Sequence, residues 1–362
     1  MKRRDFIKSA GAGGAVAATT LAAPAIAKER IEMVMVTTWP RDFPGLGTGA
    51  QRLAKNLELM SGGRIHVEYF AAGERVKAFD SFDEVASGNA QAYHAADYYW
   101  KGKHKAFAFF GSVPFGLTVN EANTWIDWGG GQELWDELGA EFGVKCFKAG
   151  NNGVQMGGWF RKEINSADDF KGLKMRIPGM GGDVLAKMGA SPVSLPGSQI
   201  YENLVSGAID ATEWVGPWND SFMKFYEAAK YYYWPGFHEP GTMESFGLNK
   251  AWWDKLSKSD QKMIEAAAAL ENQLLYSEYC WNNGSSMKKL LDEHGVQLRE
   301  FSDDIFDAAG EATAEVFEEY RADGGLTARV LDSMLASRKS VGSWMNTSEV
   351  PFIAQRNRVL DL

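Results

Sequence analysis

Residues 31–70 read IEMVMVTTWPRDFPGLGTGAQRLAKNLELMSGGRIHVEYF, and this stretch indicates the fold class. The apolar run IEMVMVTTW (31–39) is typical of a buried strand. The amphipathic segment GTGAQRLAKNLELMSGG is typical of a helix closed by glycines, and RIHVEYF (64–70) is typical of a second strand. Because strands that alternate with helices usually form a parallel sheet covered by those helices, we predict an α/β fold.

A second series of strand-like segments lies between residues 144 and 215. The segments are VKCFKAG, VQMGGWF, LKMRIP and DATEWV. Two separate series of this kind predict two α/β lobes.

The pattern becomes purely helical after TMESFGLNK. Ser257-Lys258-Ser259-Asp260 is typical of a capping box, and QKMIEAAAALENQLLYSEYCWNNGSSMKKLLDEHG follows it without a helix breaker. A helix of this size is about 50 Å long, which exceeds one small lobe, so we expect it to brace both lobes. Two more helical segments follow, near 303–321 and 324–343.

These patterns predict four divisions of the chain. They are a signal peptide at 1–27, a first lobe at 28–152 to which 243–300 returns, a second lobe at 153–242, and C-terminal helices with a candidate dimerisation segment at 301–362.

The N-terminal stretch MKRRDFIKSAGAGGAVAATTLAAPAIAKER is typical of an export signal. It has a basic start, a short apolar run of small residues, and the cleavage pattern Ala25-Ile26-Ala27, so we expect the mature chain to begin at Lys28. The segment Arg3-Arg4-Asp5-Phe6-Ile7-Lys8 resembles the twin-arginine motif. We therefore predict a bacterial periplasmic protein that is exported by the twin-arginine route.

The charge of the chain argues against nucleic acid as a partner. Removal of residues 1–27 takes away four basic residues and one acidic residue, so the net charge of −9 becomes −12. No basic stripe remains in the sequence to neutralise phosphates. No later apolar run approaches the roughly 20 residues that a membrane-spanning helix needs.

The chain has two cysteines, Cys146 and Cys280, and no C-x-x-C motif. Thiol redox chemistry and a zinc–thiolate site therefore have no support. The periplasm permits a disulfide between the two residues. Free cysteines that pack as small apolar residues are the alternative.

Enzyme signatures are missing from the sequence. It contains no G-x-S-x-G, H-E-x-x-H, Walker or kinase motif. The loose G-x-G-x-x-A at 45–50 is separated from its strand by Trp39-Pro40-Arg41-Asp42-Phe43-Pro44, whereas a dinucleotide fingerprint lies at the strand-to-helix turn itself. Of the five histidines, only His238, beside Glu239, is a candidate for a functional pair. We predict that the protein is not an enzyme.

The stretch IDATEWVGPWND (209–220) differs from a plain buried strand. It holds acidic residues, two tryptophans and a Gly-Pro turn where an ordinary strand would have Val and Ile. Two tryptophans close to Glu213, Trp214 and Trp218, are typical of a pocket wall beside a fixed carboxylate.

The whole segment GNNGVQMGGWFRKEINSADDFKGLKMRIPGMGGDVLAKMGASPVSLPGSQIYENLVSGAIDATEWVGPWND (150–220) closely resembles DctP-type solute-binding proteins of tripartite ATP-independent periplasmic (TRAP) transporters. It is most similar to the branch that binds 2-oxo acids and related monocarboxylates. The likeness rests on Gly157-Gly158-Trp159-Phe160, DFKGLKMRIPG, IDATEWVGP and YYYWPGF. It implies two α/β lobes, joined by crossing strands and a long helix, that close over a small organic acid for delivery to a membrane permease.

The resemblance assigns a carboxylate-binding role to Arg176. A planar guanidinium can hold a carboxylate through two parallel hydrogen bonds, which Lys cannot reproduce. A structural ion pair with a neighbouring Asp or Glu is the alternative interpretation.

The resemblance also implies a cation bound against the solute. Gln155, Glu213 and the backbone carbonyl of Trp214 occupy the positions that hold it in the 2-oxo acid branch, and Glu239 is a possible fourth ligand. A carboxylate facing an anionic solute would repel it unless a cation lies between them. Oxygen ligands of this kind suit Na⁺ or Ca²⁺.

Pocket walls are predicted from the same likeness. Tyr98, Tyr99 and Trp100 of the first lobe and Asn152 of the hinge region match wall positions, and we expect about half of these aromatic residues to touch the solute. The loop TTWPRDFPGLGTG departs from the branch, although Arg41 within it could supply a second pocket arginine.

The leading hypothesis is a receptor for a 2-oxo or 2-hydroxy monocarboxylate such as pyruvate or lactate. The alternatives are a larger acid (a dicarboxylate, a sugar acid or a branched 2-oxo acid), a cation-dependent 2-oxo acid lyase, and a periplasmic sensor. The extra C-terminal tail also predicts a homodimer, since its apolar side chains would be costly to leave in water.

Overall fold

The computed structural model describes residues 30–361, so the predicted signal peptide and its cleavage site lie outside the described residues. The strands are β1 Ile31–Thr37, β2 Ile65–Phe70, β3 Ala92–Ala95, β4 Val144–Asn151, β5 Gly158–Phe160, β6 Lys174–Arg176, β7 Ser191–Val193, β8 Ala211–Thr212, β9 Tyr231–Trp234, β10 Met243–Asn249 and β11 Gln297–Glu300. The α-helices are α1 Leu46–Met60, α2 Ser81–Ala86, α3 Val119–Trp128, α4 Gly131–Glu141, α5 Gly179–Lys187, α6 Gly197–Ser206, α7 Pro217–Met223, α8 Lys250–Trp253, α9 Lys258–His294, α10 Asp303–Ala322, α11 Gly325–Met345 and α12 Glu349–Leu360.

The first lobe is built on a five-stranded sheet of order β2-β1-β3-β10-β4. β1 pairs in parallel with β2 and β3, as the opening strand–helix–strand pattern predicts. β10 reaches this sheet from much later in the chain and runs antiparallel to both β3 and β4. The parallel pairing predicted for the opening series is present, but the sheet as a whole is mixed, because a returning crossing strand fills the gap between β3 and β4.

The second lobe has a six-stranded sheet of order β11-β9-β5-β8-β6-β7. It is also mixed, since β5 is antiparallel to its neighbours β8 and β9, whereas β6 is parallel to β7 and β8. β11 pairs with β9 in this sheet, although the sequence placed residues 243–300 with the first lobe. The exact lobe boundaries stay a prediction.

The predicted bracing helix is present as α9, which is 37 residues long. It begins after Ser257, whose side-chain oxygen accepts a hydrogen bond from the Asp260 N–H at 3.2 Å, as the capping signal predicts. It ends at Gly295, where a φ of 63° favours glycine. The helix contacts β4 and α1 in the first lobe and α7 in the second, so it does brace both lobes.

The C-terminal helices α10 and α11 pack on the two lobes, whereas the last helix, α12, has no buried side chain along its described length. α10 contacts α5 of the second lobe, and α11 contacts α3 and α4 of the first. The exposed apolar side chains on α12 are Val350, Phe352, Ile353, Val359 and Leu360. Trp344, near the end of α11, is also exposed.

The two cysteines do not form a disulfide in the described chain. Cys146 is buried in the first lobe, whereas Cys280 is exposed on α9, and both are free. Among residues 30–361, no helix combines the length and apolarity needed to span a membrane.

Candidate functional site

The centre of the site is created by the pairing of two short strands. β6 and β8 are parallel, with Arg176 opposite Thr212, so both strands end at the same edge of the sheet. The N–H of Glu213 donates to the carbonyl of Arg176 at 3.2 Å. Both side chains are buried, at 1% exposure for Arg176 and 0% for Glu213.

Arg176 forms a direct ion pair with Glu213 through its Nη1 atom. Its Nε donates to the carbonyl of Leu195 at 3.1 Å, and its guanidinium lies 5.0 Å from the centre of the Trp214 ring. Its Nη2 is buried and has no hydrogen-bond partner in the described chain. One side of the guanidinium is therefore fixed by the protein, while the other has an N–H donor to offer.

A second buried group lies around Gln155. The Nε2 of Gln155 donates to the Glu239 carboxylate at 2.7 Å and to the Thr242 hydroxyl at 3.1 Å. Thr242 also donates to the same carboxylate. Burial, and then the charge of Glu213, raise the pKa of Glu239 well above its usual value. Glu239 is thus a member of the site and not a solvated surface carboxylate.

His238 also lies in this cluster. The sequence marked it as a candidate for a functional pair but assigned it no role. Its Nε2 lies 3.6 Å from Glu213 Oε2, and its side chain is buried. Glu213, His238 and Glu239 each offer one ligand atom, and these atoms lie within 4.8 Å of one another. The signal that could have found it is the density of polar residues in FHEPGTMES (237–245), which follows the apolar segment YYYWPG.

Several buried polar atoms around this cluster have no partner among residues 30–361. They are Gln155 Oε1, Arg176 Nη2, Glu213 Oε2, Trp214 Nε1, His238 Nε2 and Glu244 Oε2. Because burying an unsatisfied polar group is costly, such a concentration indicates a binding site rather than a structural core. The free oxygens of Gln155 and Glu213 fit a hard cation, and the guanidinium N–H fits a carboxylate.

Hydrogen bonds to Asp220 fix the loop that carries Glu213 and Trp214. One oxygen of Asp220 accepts from the Val215 N–H at 3.2 Å, and the other accepts from Trp159 Nε1 at 2.9 Å and the Tyr232 hydroxyl at 2.6 Å. Burial raises the pKa of Asp220 to about 7, against the lowering effect of these donors. The second carboxylate of IDATEWVGPWND therefore anchors the loop.

The first lobe contributes Tyr98 and Tyr99, which are in edge-to-face contact with ring centres 4.8 Å apart. Burial raises the pKa of Tyr98, and the charges of Glu239 and Glu213 raise it further. Asn152 joins the same network, since Gln155 Nε2 donates to its Oδ1 at 3.4 Å.

Trp100, a predicted wall residue, and Arg41, the candidate second pocket arginine, lie elsewhere. Trp100 is part of the first-lobe core, where its ring contacts Phe82 and its indole N–H donates to the carbonyl of Phe79 at 3.3 Å. Arg41 pairs with Glu74 at an exposed position, with Nε to Oε1 at 2.6 Å. Arg41 therefore does not supply the second pocket arginine that its sequence position suggested.

A model of the family described as DctP, bacterial extracellular solute-binding protein family 7, matches residues 35–323. The chain belongs to the DctP family. It is 37% identical to the monocarboxylate 2-oxoacid-binding periplasmic protein of Nostoc sp. (strain PCC 7120), over 97% of this chain and 98% of that protein.

Solved structures agree with this assignment. A TRAP periplasmic solute-binding protein from Pseudoalteromonas atlantica, with bound sodium and pyruvate, is 39% identical and matches with a TM-score of 0.88 over 90% of this chain and 99% of that one. A TRAP solute-binding protein from Bordetella bronchiseptica, a mixed-occupancy dimer with calcium and picolinate, is 30% identical with a TM-score of 0.90 over 92% and 99%. The two-lobed fold and the family predicted from sequence are both confirmed.

Proposed function

We propose that this DctP-family receptor binds a small 2-oxo or 2-hydroxy monocarboxylate, such as pyruvate or lactate, in the cleft around Arg176. The observation that carries the proposal is the buried, unpartnered Nη2 of Arg176 beside the unpartnered oxygens of Gln155 and Glu213. The guanidinium binds the solute carboxylate, because Nη2 is an available donor while Nη1 and Nε are fixed by Glu213 and Leu195. The pyruvate in the Pseudoalteromonas relative supports this solute class.

The oxygens of Gln155, Glu213 and Glu239 and the backbone carbonyl of Trp214 are the proposed ligands of a bridging Na⁺ or Ca²⁺. When bound, such a cation neutralises the repulsion between the carboxylates and an anionic solute. Sodium and calcium in the two solved relatives support this choice. Oxygen donors dominate the set, and the nitrogen of His238 lies at its edge.

The arrangement accounts for how this chain's own residues keep an anion in a dry cleft. Arg176 supplies one positive charge, which Glu213 already offsets through their ion pair. Tyr98 and Tyr99 exclude water from the first-lobe side, which strengthens each remaining polar contact. The solute is therefore held both by a directed hydrogen bond from Arg176 and by the balance of charges around it.

We further propose that the protein is exported by the twin-arginine route and delivers its solute to the membrane subunits of a TRAP transporter. The pattern around Arg3 and Arg4 supports the route, and family membership supports the partner.

We also infer a homodimer formed through α12. This helix contributes no side chain to the described core, and several large apolar side chains on it are open to water. An unshielded surface of this kind usually contacts another protein surface. The Bordetella relative was solved as a dimer, which supports the inference.

A thermal-shift screen of organic acids tests the function directly. A solute at about 100 times its dissociation constant stabilises the folded state by roughly 2.7 kcal/mol, which is a shift of several degrees for a chain of this size. The screen is repeated with Na⁺, with Ca²⁺ and with a chelator. The absence of any shift with 2-oxo and 2-hydroxy monocarboxylates would overturn the proposal.

A further inference from the structure

Glu244 is a buried carboxyl group that the proposed function does not use. It lies near the start of β10, where this strand crosses between the lobes, and it is 1% exposed. Its Oε1 lies 3.5 Å from the side-chain nitrogen of Asn152, a long hydrogen bond. Its Oε2 is buried and has no partner in the described part of the chain.

The contacts of Asn152 connect Glu244 to the proposed cation site. Asn152 donates to Glu244 and accepts from Gln155, and Gln155 in turn donates to Glu239. A continuous row of polar side chains therefore leads from the cation ligands to Glu244.

Glu244 belongs to β10 of the first-lobe sheet, and its charge acts on Tyr99 together with charges of the proposed site. Burial raises the pKa of Tyr99, the charge of Arg176 lowers it, and the charges of Glu244, Glu213 and Glu239 raise it again. The charges of Arg176 and Glu244 therefore act on the same tyrosine.

The stem of Glu244 packs closely against the backbone of β4 at Gly150. A Cβ atom built at Gly150 would lie 3.0 Å from Glu244 Cβ and 2.5 Å from a methyl group of Leu275, so the backbone of β4 packs directly against it. Tight packing around the stem leaves the carboxyl group as the part that can meet a ligand.

Glu244 adds no negative charge below its pKa, so a raised pKa reduces its repulsion of an anionic solute. Burial, and then the charge of Asp97, raise the pKa of Glu244 to about 8. The protonated carboxyl offers both an O–H donor and an acceptor. The ionisable groups that interact electrostatically with it are Asp97, Glu239, Tyr98, Tyr99 and Tyr279.

We propose that Glu244 is a specificity-determining residue whose free oxygen hydrogen-bonds a hydroxyl group on the carbon chain of the solute, beyond C2. This inference rests on the proposed function, in which Arg176 and the cation hold the C1–C2 end. The preferred solute class is then a 2-oxo or 2-hydroxy acid with a hydroxylated chain. A second carboxylate fits less well, since Arg41 is paired at the surface and Arg176 is already used.

An isosteric pair of solutes tests the proposal. 3-Hydroxypyruvate and 2-oxobutyrate differ only by a hydroxyl in place of a methyl group, and glycerate and 2-hydroxybutyrate form the corresponding 2-hydroxy pair. We expect calorimetry with Na⁺ or Ca²⁺ present to give at least about tenfold tighter binding of the hydroxylated member, because the methyl group leaves a buried polar atom unpaired.

Substitution locates the effect. Glu244→Met keeps the approximate shape and should reduce the preference to less than about threefold. Glu271→Gln is the matched control, because Glu271 is an equally buried carboxylate that pairs with Arg52 on α1 through Oε1 at 2.7 Å, and it should keep the preference.

The outcomes are distinct. Equal binding of both members by the wild type, or tighter binding of the methyl member, overturns the role of Glu244, and this comparison needs no variant to fold. A preference that survives Glu244→Met also overturns it. If neither these acids nor pyruvate bind at all, the proposed function itself fails.

Discussion

Arg176 is compatible with both interpretations that the sequence left open, a carboxylate-binding residue and a structural ion-pair partner. It does form an ion pair with a neighbouring glutamate, as the structural interpretation requires. A buried pair of this kind gains little net stability, because desolvation offsets most of the attraction. A purely structural arginine would have a partner for each buried N–H group, whereas Nη2 of Arg176 has none in the described chain.

Arg176→Lys should weaken solute binding by about ten- to a hundredfold. Lys keeps the charge but cannot contact Glu213 and the solute carboxylate from fixed directions, so about 1.5 to 3 kcal/mol is lost. Calorimetry with pyruvate measures the effect. Arg299→Lys, at a surface pair with Glu163, is the control. Unchanged affinity in Arg176→Lys would make Arg176 a structural residue alone.

Glu213→Gln should weaken both the acid and the cation. If one cation touches Glu213 and the solute, each ligand tightens the other by the same factor, and removing the charge reduces both affinities. Titrations of pyruvate with and without Na⁺ or Ca²⁺ measure this coupling, and Glu163→Gln at the surface is the control. Stronger acid binding without ion dependence would show that the carboxylate only repels the solute.

Much of the residue cluster around Glu213 could be predicted from the sequence, but not all of its members. Gln155, Glu213 and Glu239 were selected through family resemblance and chemistry, and the fold brings all three together. His238 and Glu244 could not be assigned, because the burial of a polar side chain depends on contacts between distant segments. The binding roles of these residues stay predictions.

At the scale of elements, the loop after β8 depends on a carboxylate that is buried in the second lobe. Asp220 holds Val215 directly after the two residues proposed to face the cation. Its pKa is about 7 in the folded state against an ordinary value of 3.8. The folded protein therefore binds one more proton than the unfolded chain between these two pH values.

Asp220→Asn should flatten the pH dependence of stability between about pH 4 and pH 7. In the wild type, the Asp220 contribution is fully present below about pH 4 and is lost as the pH rises, by up to about 1.4 kcal/mol per pH unit. Asn has no such proton to lose. Thermal unfolding of both proteins across this range measures the difference, and parallel curves would contradict the prediction.

Local patterns predicted the elements better than their pairing. The start of α9 at Ser257 and the parallel β1–β2 pair follow from capping residues and from hydrophobic alternation, which are local signals. The antiparallel placement of β10 between β3 and β4 does not, because its partners are about 150 and 100 residues away along the chain. No spacing of apolar residues encodes that choice.

At the scale of the whole molecule, deletion of residues 346–362 should convert a dimer into a monomer. The deleted helix exposes Phe352 to 66% and contributes nothing to the described core, so the remaining fold should keep its melting temperature. Light scattering measures the mass. Trp128→Ser, at a side chain that is 89% exposed on α3, should leave the mass unchanged. Equal masses before and after the deletion would show that α12 does not hold two copies together.

The 37-residue helix α9 has a mechanical consequence. At 1.5 Å per residue it is about 55 Å long, and an α-helix is stiff over such a length. Because it contacts β4 and α7, both lobes pack on one common helix. We therefore expect the lobes to rotate about it rather than slide along it, with their outer ends moving farther than the cleft walls. Occupancy of a small cavity would then change the distance between remote surface points, and a membrane partner of the kind proposed above could sense that distance without touching the solute.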